Sequence, residues 1–141
     1  MTRIDFHFNA PPGLIYPCRL ARKIVRAGQR AVFHHPDVAW LQRFNDELWS
    51  FSPQEFIAHV MADDPVAAQT PIVLAAAARD DLDCSLLVNM GLEPPPFFSR
   101  FERLIELVSA EDSQRDAGRQ RFRFYRERGY PIETHDLAKS A

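Results

Sequence analysis

Arginine is the residue type whose placement in this chain could do chemistry. Between positions 115 and 128 stand six arginines, at 115, 119, 121, 123, 126 and 128, against two acids, Asp116 and Glu127. That segment carries +4 in a chain of net charge −2, so the remainder carries −6. Guanidinium groups gathered on one element form a docking face for something negative, and their planar fork suits a carboxylate. Positions 115, 119, 122 and 126 follow each other at helical spacing, which puts Arg115, Arg119, Phe122 and Arg126 on one stripe. Ala117, Arg121, Phe124 and Arg128 make the neighbouring face. A guanidinium stripe beside an aromatic ring would receive a peptide with both acidic and apolar residues, or a free C-terminal carboxylate. The competing reading puts the aromatics in the core and leaves the arginines to solvate the outside. It is preferred for Phe124 and Tyr125, and it stays open for Arg115 and Arg119. Gly118 interrupts the helix at a cost of about 1 kcal/mol relative to alanine, which close approach of a neighbouring element or ligand would explain.

The other reactive residue types lack the spacing that chemistry requires. The histidines are His7, His34, His35, His59 and His135. Adjacent His34 and His35 at a strand end point to opposite faces, so hydrogen-bonded or exposed histidines are expected and no metal site. Cys18 and Cys84 are far apart and read as small buried apolar residues of a reducing compartment. Asp63-Asp64 and Asp80-Asp81-Asp83 fall in loop-like segments and read as solvated acids. A nucleotide would need closely spaced glycines after the first strand. The turn there is Asn9-Ala10-Pro11-Pro12-Gly13, and the whole chain has 5 glycines. Neither a cofactor nor a catalytic residue is expected.

These residues need a frame. Ile4-Asp5-Phe6-His7-Phe8 alternates as a strand that the Asn9–Gly13 turn stops. Pro17 suits the first turn of a helix carrying Leu20, Ala21, Ile24 and Val25, with Gly28 at its C-terminal cap. Arg30 to Phe33 reads as a short strand. Asp37 caps a second helix with Val38, Leu41, Phe44 and Leu48 on its inner face. Trp49 to Pro53 is an aromatic corner, Glu55 to His59 a short strand, and Met61 to Thr70 a surface loop. The apolar runs Pro71–Ala75 and Ser85–Asn89 suit strands covered on both faces. Glu93-Pro94-Pro95-Pro96 is a rigid turn and Leu104 to Val108 another strand. Ser109 and Asp112 suggest a weak capping box for the final helix, which ends near Gly129. Strands alternating with helices give an α/β fold with a mostly parallel sheet. One domain over 1–141 is expected, with a frayed tail from about 136.

Composition excludes some classes. Hydrophobic content of 46% and charged content of 26% are those of a globular protein. No apolar run approaches the ~20 residues of a membrane helix, and the N-terminal residues lack an apolar signal core, so a cytoplasmic location is the expectation. A net charge of −2 argues against coating nucleic acid through bulk charge. The aromatic corner Trp49, Phe51 and Phe56 is the second candidate surface. Core is preferred for Phe56; core and interface stay level for Trp49 and Phe51.

Along nearly its full length the chain resembles the chi subunit of bacterial DNA polymerase III holoenzyme. The matching residues are Cys18-Arg19-Leu20-Ala21 to Gly28-Gln29-Arg30-Ala31-Val32, Asn45-Asp46-Glu47-Leu48-Trp49 with Phe56-Ile57-Ala58-His59, and Leu87-Val88-Asn89-Met90. The most specific are Phe101-Glu102-Arg103-Leu104-Ile105-Glu106-Leu107-Val108 and Arg119-Gln120-Arg121-Phe122 through Tyr125-Arg126-Glu127-Arg128-Gly129-Tyr130. The resemblance implies a non-catalytic, Rossmann-like three-layer adaptor of the clamp-loader assembly, with no nucleotide-binding loop. It implies a grip on the acidic C-terminal tail of single-stranded DNA-binding protein through Val108, Arg115, Arg119 and Phe122, with Arg126 on the same stripe. Arg115 stands where the family often has lysine, and Phe122 where it often has tyrosine, so the apolar wall is kept without the phenolic hydroxyl. Ala58 stands where proline is common. The opposite surface, here Trp49, Phe51 and Phe56, would bind the psi subunit or an accessory helicase. Nucleic acid would then be contacted only indirectly. The alternative from another class is direct binding of single-stranded nucleic acid by the arginine helix, with Phe122 as a stacking platform.

Overall fold

The computed structural model describes residues 1–52, 54–78 and 85–139. Pro53, Asp80, Asp81, Asp83 and Cys84, which the sequence reading used, lie outside the described residues. The strands are β1 (Arg3–Ala10), β2 (Ala31–His34), β3 (His59–Met61), β4 (Ile72–Ala75), β5 (Leu86–Asn89), β6 (Arg103–Ser109) and β7 (Ile132–Asp136). The helices are α1 (Ile15–Arg26), α2 (Val38–Phe51) and α3 (Asp112–Glu127), with short 3₁₀ turns at Ala67–Gln69, Phe98–Arg100 and Leu137–Lys139. The strands form one sheet in the order β3-β4-β2-β5-β6-β1-β7. Every pairing among the described residues is parallel.

Because side chains alternate along a strand, each strand feeds two cores. Ala31, Phe33, Ile72, Leu74, Leu86, Val88, Ile105 and Leu107 pack with Leu20, Ile24, Leu41, Phe44 and Leu48 of α1 and α2. Ile4, Phe6, Val32, Val73, Leu87, Leu104 and Val108 pack with Tyr125 of α3 and with Phe97 and Phe98. The result is three layers, with α1 and α2 on one face and α3 on the other. β4 and β5, continuous apolar runs in the sequence, are buried at every position.

Local signals act as their chemistry dictates. The Asp37 side chain accepts from the Ala39 N–H at 2.9 Å and caps α2. Gly28, at φ 71°, lets the chain leave α1 in a conformation that other residues resist.

Several expectations are corrected. Val38 is 54% exposed, since it occupies the first turn of α2 and faces away from the sheet. The strand placed at Glu55–His59 runs instead from His59 to Met61, where it pairs with β4, while the Glu55 N–H closes a turn onto the Ser52 carbonyl. The loop from Met61 to Thr70 holds a 3₁₀ turn and buries Ala62, Ala67 and Thr70. Ser109 belongs to β6, and α3 is preceded by Glu111 with no side-chain cap. Ahead of the terminus the chain forms β7, a strand the sequence reading left unassigned, followed by the 3₁₀ turn at Leu137–Lys139. β7 pairs with β1 from Ile132 to Asp136, and Asn9 Nδ2 donates to Asp136 Oδ1 at 2.8 Å. A polar edge strand with a partner at the far end of the chain gives little local signal, and exposed charges are what such an edge needs.

Candidate functional site: a groove between the terminal helix and the sheet edge

The position of α3 is set by a buried polar knot. Glu106 of β6 is fully buried, and Arg121 Nε donates to its Oε1 at 2.9 Å. The Tyr125 hydroxyl donates to Oε2 at 2.5 Å, and Asn89 Nδ2 reaches both oxygens, at 2.9 and 3.1 Å. Arg121 Nη1 also donates to the Leu92 carbonyl at 2.8 Å. Burial pushes the Glu106 carboxyl up, while the Arg121 cation, Tyr125 and Asn89 pull the other way. Burial, and next the neighbouring Glu106 charge, raises the Tyr125 hydroxyl. One of the six arginines is thus structural.

Gly118 sets the distance between helix and sheet. A Cβ there would lie 2.8 and 2.9 Å from the two γ-methyls of Val108, so the residue that weakens the helix is the one that lets α3 lie against β6. The close approach of a neighbouring element, one of the two explanations the sequence offered, is what occurs.

Toward the sheet edge the surfaces diverge into a groove of about 280 Å³. Val108, Gly118, Phe122, Arg115 and Arg119 line it from β6 and α3; Phe6, Phe8, Asn9 and Thr134 line it from β1 and β7. Phe6 and Phe122 meet with ring centroids 5.4 Å apart, closing the apolar floor. Among the described residues, Arg115 and Arg119 are exposed and pair within their own helix, with Asp112 at 3.9 Å and Asp116 at 3.2 Å. Exposed pairs of this kind are weak, so an incoming carboxylate can displace them. Asn9 holds φ 59° beside the irregularity between Phe8 and Ala10, a conformation asparagine tolerates.

The structure therefore brings Val108, Arg115, Arg119 and Phe122 together. Arg126 is exposed but lies outside the groove lining. Arg128 is folded over the Phe124 ring, 3.6 Å from its centroid, and donates to the Phe124 carbonyl. The cationic stripe reduces at the groove to two guanidiniums. Sequence reasoning missed Phe6, Phe8, Asn9 and Thr134. The alternation of β1 put Phe6 and Phe8 on one face, but nothing local placed that face beside α3.

The second surface lies at the other sheet edge. Trp49 is 58% and Phe56 70% exposed, with ring centroids 5.5 Å apart. Phe56, expected in the core, is the more exposed of the pair. Phe51 is half-buried against the α1/α2 core, with the Arg22 guanidinium 5.0 Å from its ring centroid. His59 is buried, its ring 4.9 Å from Trp49 and hydrogen-bonded to the Ile57 and Asn45 carbonyls.

Elsewhere, burial, with Glu47 as a lesser cause, pushes the Cys18 thiol up to about 12, which keeps it protonated and a poor nucleophile. His34 is held by the Ala75 carbonyl and His35 stacks on Trp40. Asp5, Glu133 and His135 come together on the reverse face of the β1/β7 edge. No helix among the described residues is long and apolar enough to cross a membrane.

The molecule is an open parallel α/β sheet with a cationic, apolar-floored groove at one edge and exposed aromatics at the other. The chain belongs to the DNA polymerase III chi subunit family: the model described as "DNA polymerase III chi subunit, HolC" matches residues 1–133. It is 39% identical to the DNA polymerase III subunit chi of Pseudomonas aeruginosa, over 99% of each chain. It is 26% identical to that of Haemophilus influenzae, over 85% of this chain and 84% of the other. Against the Escherichia coli subunit the identity is 24%, over 83% and 80%. Among solved structures it is similar to the C-terminal domain of a Saccharomyces cerevisiae Dbp5 variant, with a TM-score of 0.59, 6% identity, and 95% and 90% of the two chains covered. That likeness is one of fold.

Proposed function

We propose that this chain is a non-catalytic adaptor in DNA replication, tethering the clamp-loader assembly of DNA polymerase III to single-stranded DNA-binding protein by gripping that protein's acidic C-terminal tail. The observation that carries the reading is the groove: an apolar floor of Phe6, Val108 and Phe122 flanked by Arg115 and Arg119. A peptide ending in an apolar side chain and a carboxylate, with acids before it, would satisfy both surfaces. Charge-assisted arginine–carboxylate bonds are worth roughly 1.5–3 kcal/mol each. Two of them with one buried ring reach micromolar affinity, about −8 kcal/mol. The exposed Trp49–Phe56 pair is the surface for a psi subunit or an accessory helicase.

Titration of a fluorescent acidic tail peptide by anisotropy tests the central claim. Arg119→Ala should weaken binding about tenfold or more, the loss of one charge-assisted bond. Equal affinity for both proteins would remove the claim. Bare single-stranded oligonucleotide should bind far more weakly than the peptide. Tight oligonucleotide binding would favour the arginine helix as a direct nucleic-acid surface.

A further inference from the structure

On the face of the sheet turned away from the groove, the first and last strands assemble a set of ligand atoms. Asp5 of β1 lies opposite Glu133 of β7, and His7 opposite His135. One ligand atom each from Asp5, Glu133 and His135 falls within 4.8 Å of the others. The Asp5 side chain is only 9% exposed, and Arg103 Nε donates to its Oδ2 at 2.5 Å. Its Oδ1 faces the His135 ring, 3.8 Å from Nε2. A carboxylate fixed through one oxygen by an outer hydrogen bond, with the other turned toward an imidazole, has the arrangement of an oriented metal ligand.

We infer that Asp5, Glu133 and His135 form a binding site for a divalent transition metal of the zinc class. One imidazole nitrogen with two carboxylate oxygens is a donor set suited to zinc, cobalt or manganese, and poorer for calcium, which prefers oxygen alone. Three protein ligands leave the remaining positions to water. Arg103 offsets part of the negative charge, so the affinity belongs in the micromolar range. The metal would pin β7 to β1 from behind the groove, because Thr134, which lines the groove, sits between the two β7 ligands on the opposite face. Neither the site nor its test depends on what the groove binds.

The test uses the untagged full chain titrated with zinc ion alone by calorimetry, and with cobalt ion to read the ligand field. Saturable 1:1 zinc binding is expected, with His135→Ala and Glu133→Gln each lowering the affinity about tenfold or more. Both side chains are exposed on an edge strand, so the variants keep the fold. Zinc should also slow hydrogen exchange of the Ile132–Asp136 amides about tenfold or more, and should do so only with the ligands intact. Absence of saturable binding below about 100 µM, or unchanged affinity in both variants, overturns the proposal. In the second case the zinc sits on the chain's other histidines.

Discussion

Gly118 gives up helix stability so that α3 can lie against β6, and that balance can be measured. Alanine would regain about 1 kcal/mol of propensity, but its methyl would come within 2.9 Å of both γ-methyls of Val108. Valine is stiff at χ1, and this one is buried in β6, so relief requires α3 to shift. Overpacking of this kind costs typically 1–3 kcal/mol. Gly118→Ala should therefore lower stability by about 1–2 kcal/mol in urea unfolding, against the sign that propensity predicts. Because Val108 and Gly118 line the same groove, the variant should also bind the acidic peptide several-fold more weakly. A stabilised variant with unchanged peptide affinity would show that the contact is softer than the geometry implies.

At the scale of elements, the tie between α3 and the sheet is the Glu106–Arg121–Tyr125–Asn89 cluster, and removing one member should be severe. Arg121→Met leaves a carboxylate in the core with its main compensating charge gone. Breaking a buried pair in this way costs about 3–5 kcal/mol. Adding Glu106→Leu should recover part of the loss, limited by the orphaned Tyr125 hydroxyl and Asn89 amide; no recovery would mean that α3 is held by packing alone. This cluster also marks the limit of what the sequence disclosed. The parallel α/β class, the central strands, the capped α2 and the Arg115–Arg119–Phe122 stripe followed from periodicity, because each is a local pattern. Arg121 looked like one more surface cation, since its partner Glu106 lies in another element, β6, and nothing local links the two. β7 went unread for a related reason: its residues are polar and its partner strand is β1, at the opposite end of the chain. Four of the groove residues came from that same missing juxtaposition of β1 and β7 with α3.

For the whole molecule, the strand order decides how the two surfaces communicate. β3, beside the Trp49–Phe56 pair, and β7, beside the groove, are the two edges of one sheet. Six inter-strand steps of about 4.8 Å separate those edges by roughly 29 Å. The Debye length at physiological ionic strength is about 8 Å, so charge at one edge is screened from the other. Trp49→Ala with Phe56→Ala should therefore leave the peptide dissociation constant within about twofold. Both side chains are largely solvent-exposed, so stability should change by about 0.5 kcal/mol or less per site. Combined with Arg119→Ala, the effects on peptide binding should add to within about 0.3–0.5 kcal/mol, as for distant sites. If Arg115 and Arg119 carry the proposed peptide contact, its affinity should fall as salt rises, whereas a partner held by the aromatic pair should respond far less. A peptide affinity that fell more than tenfold in the aromatic double variant would mean that the edges are coupled through the sheet.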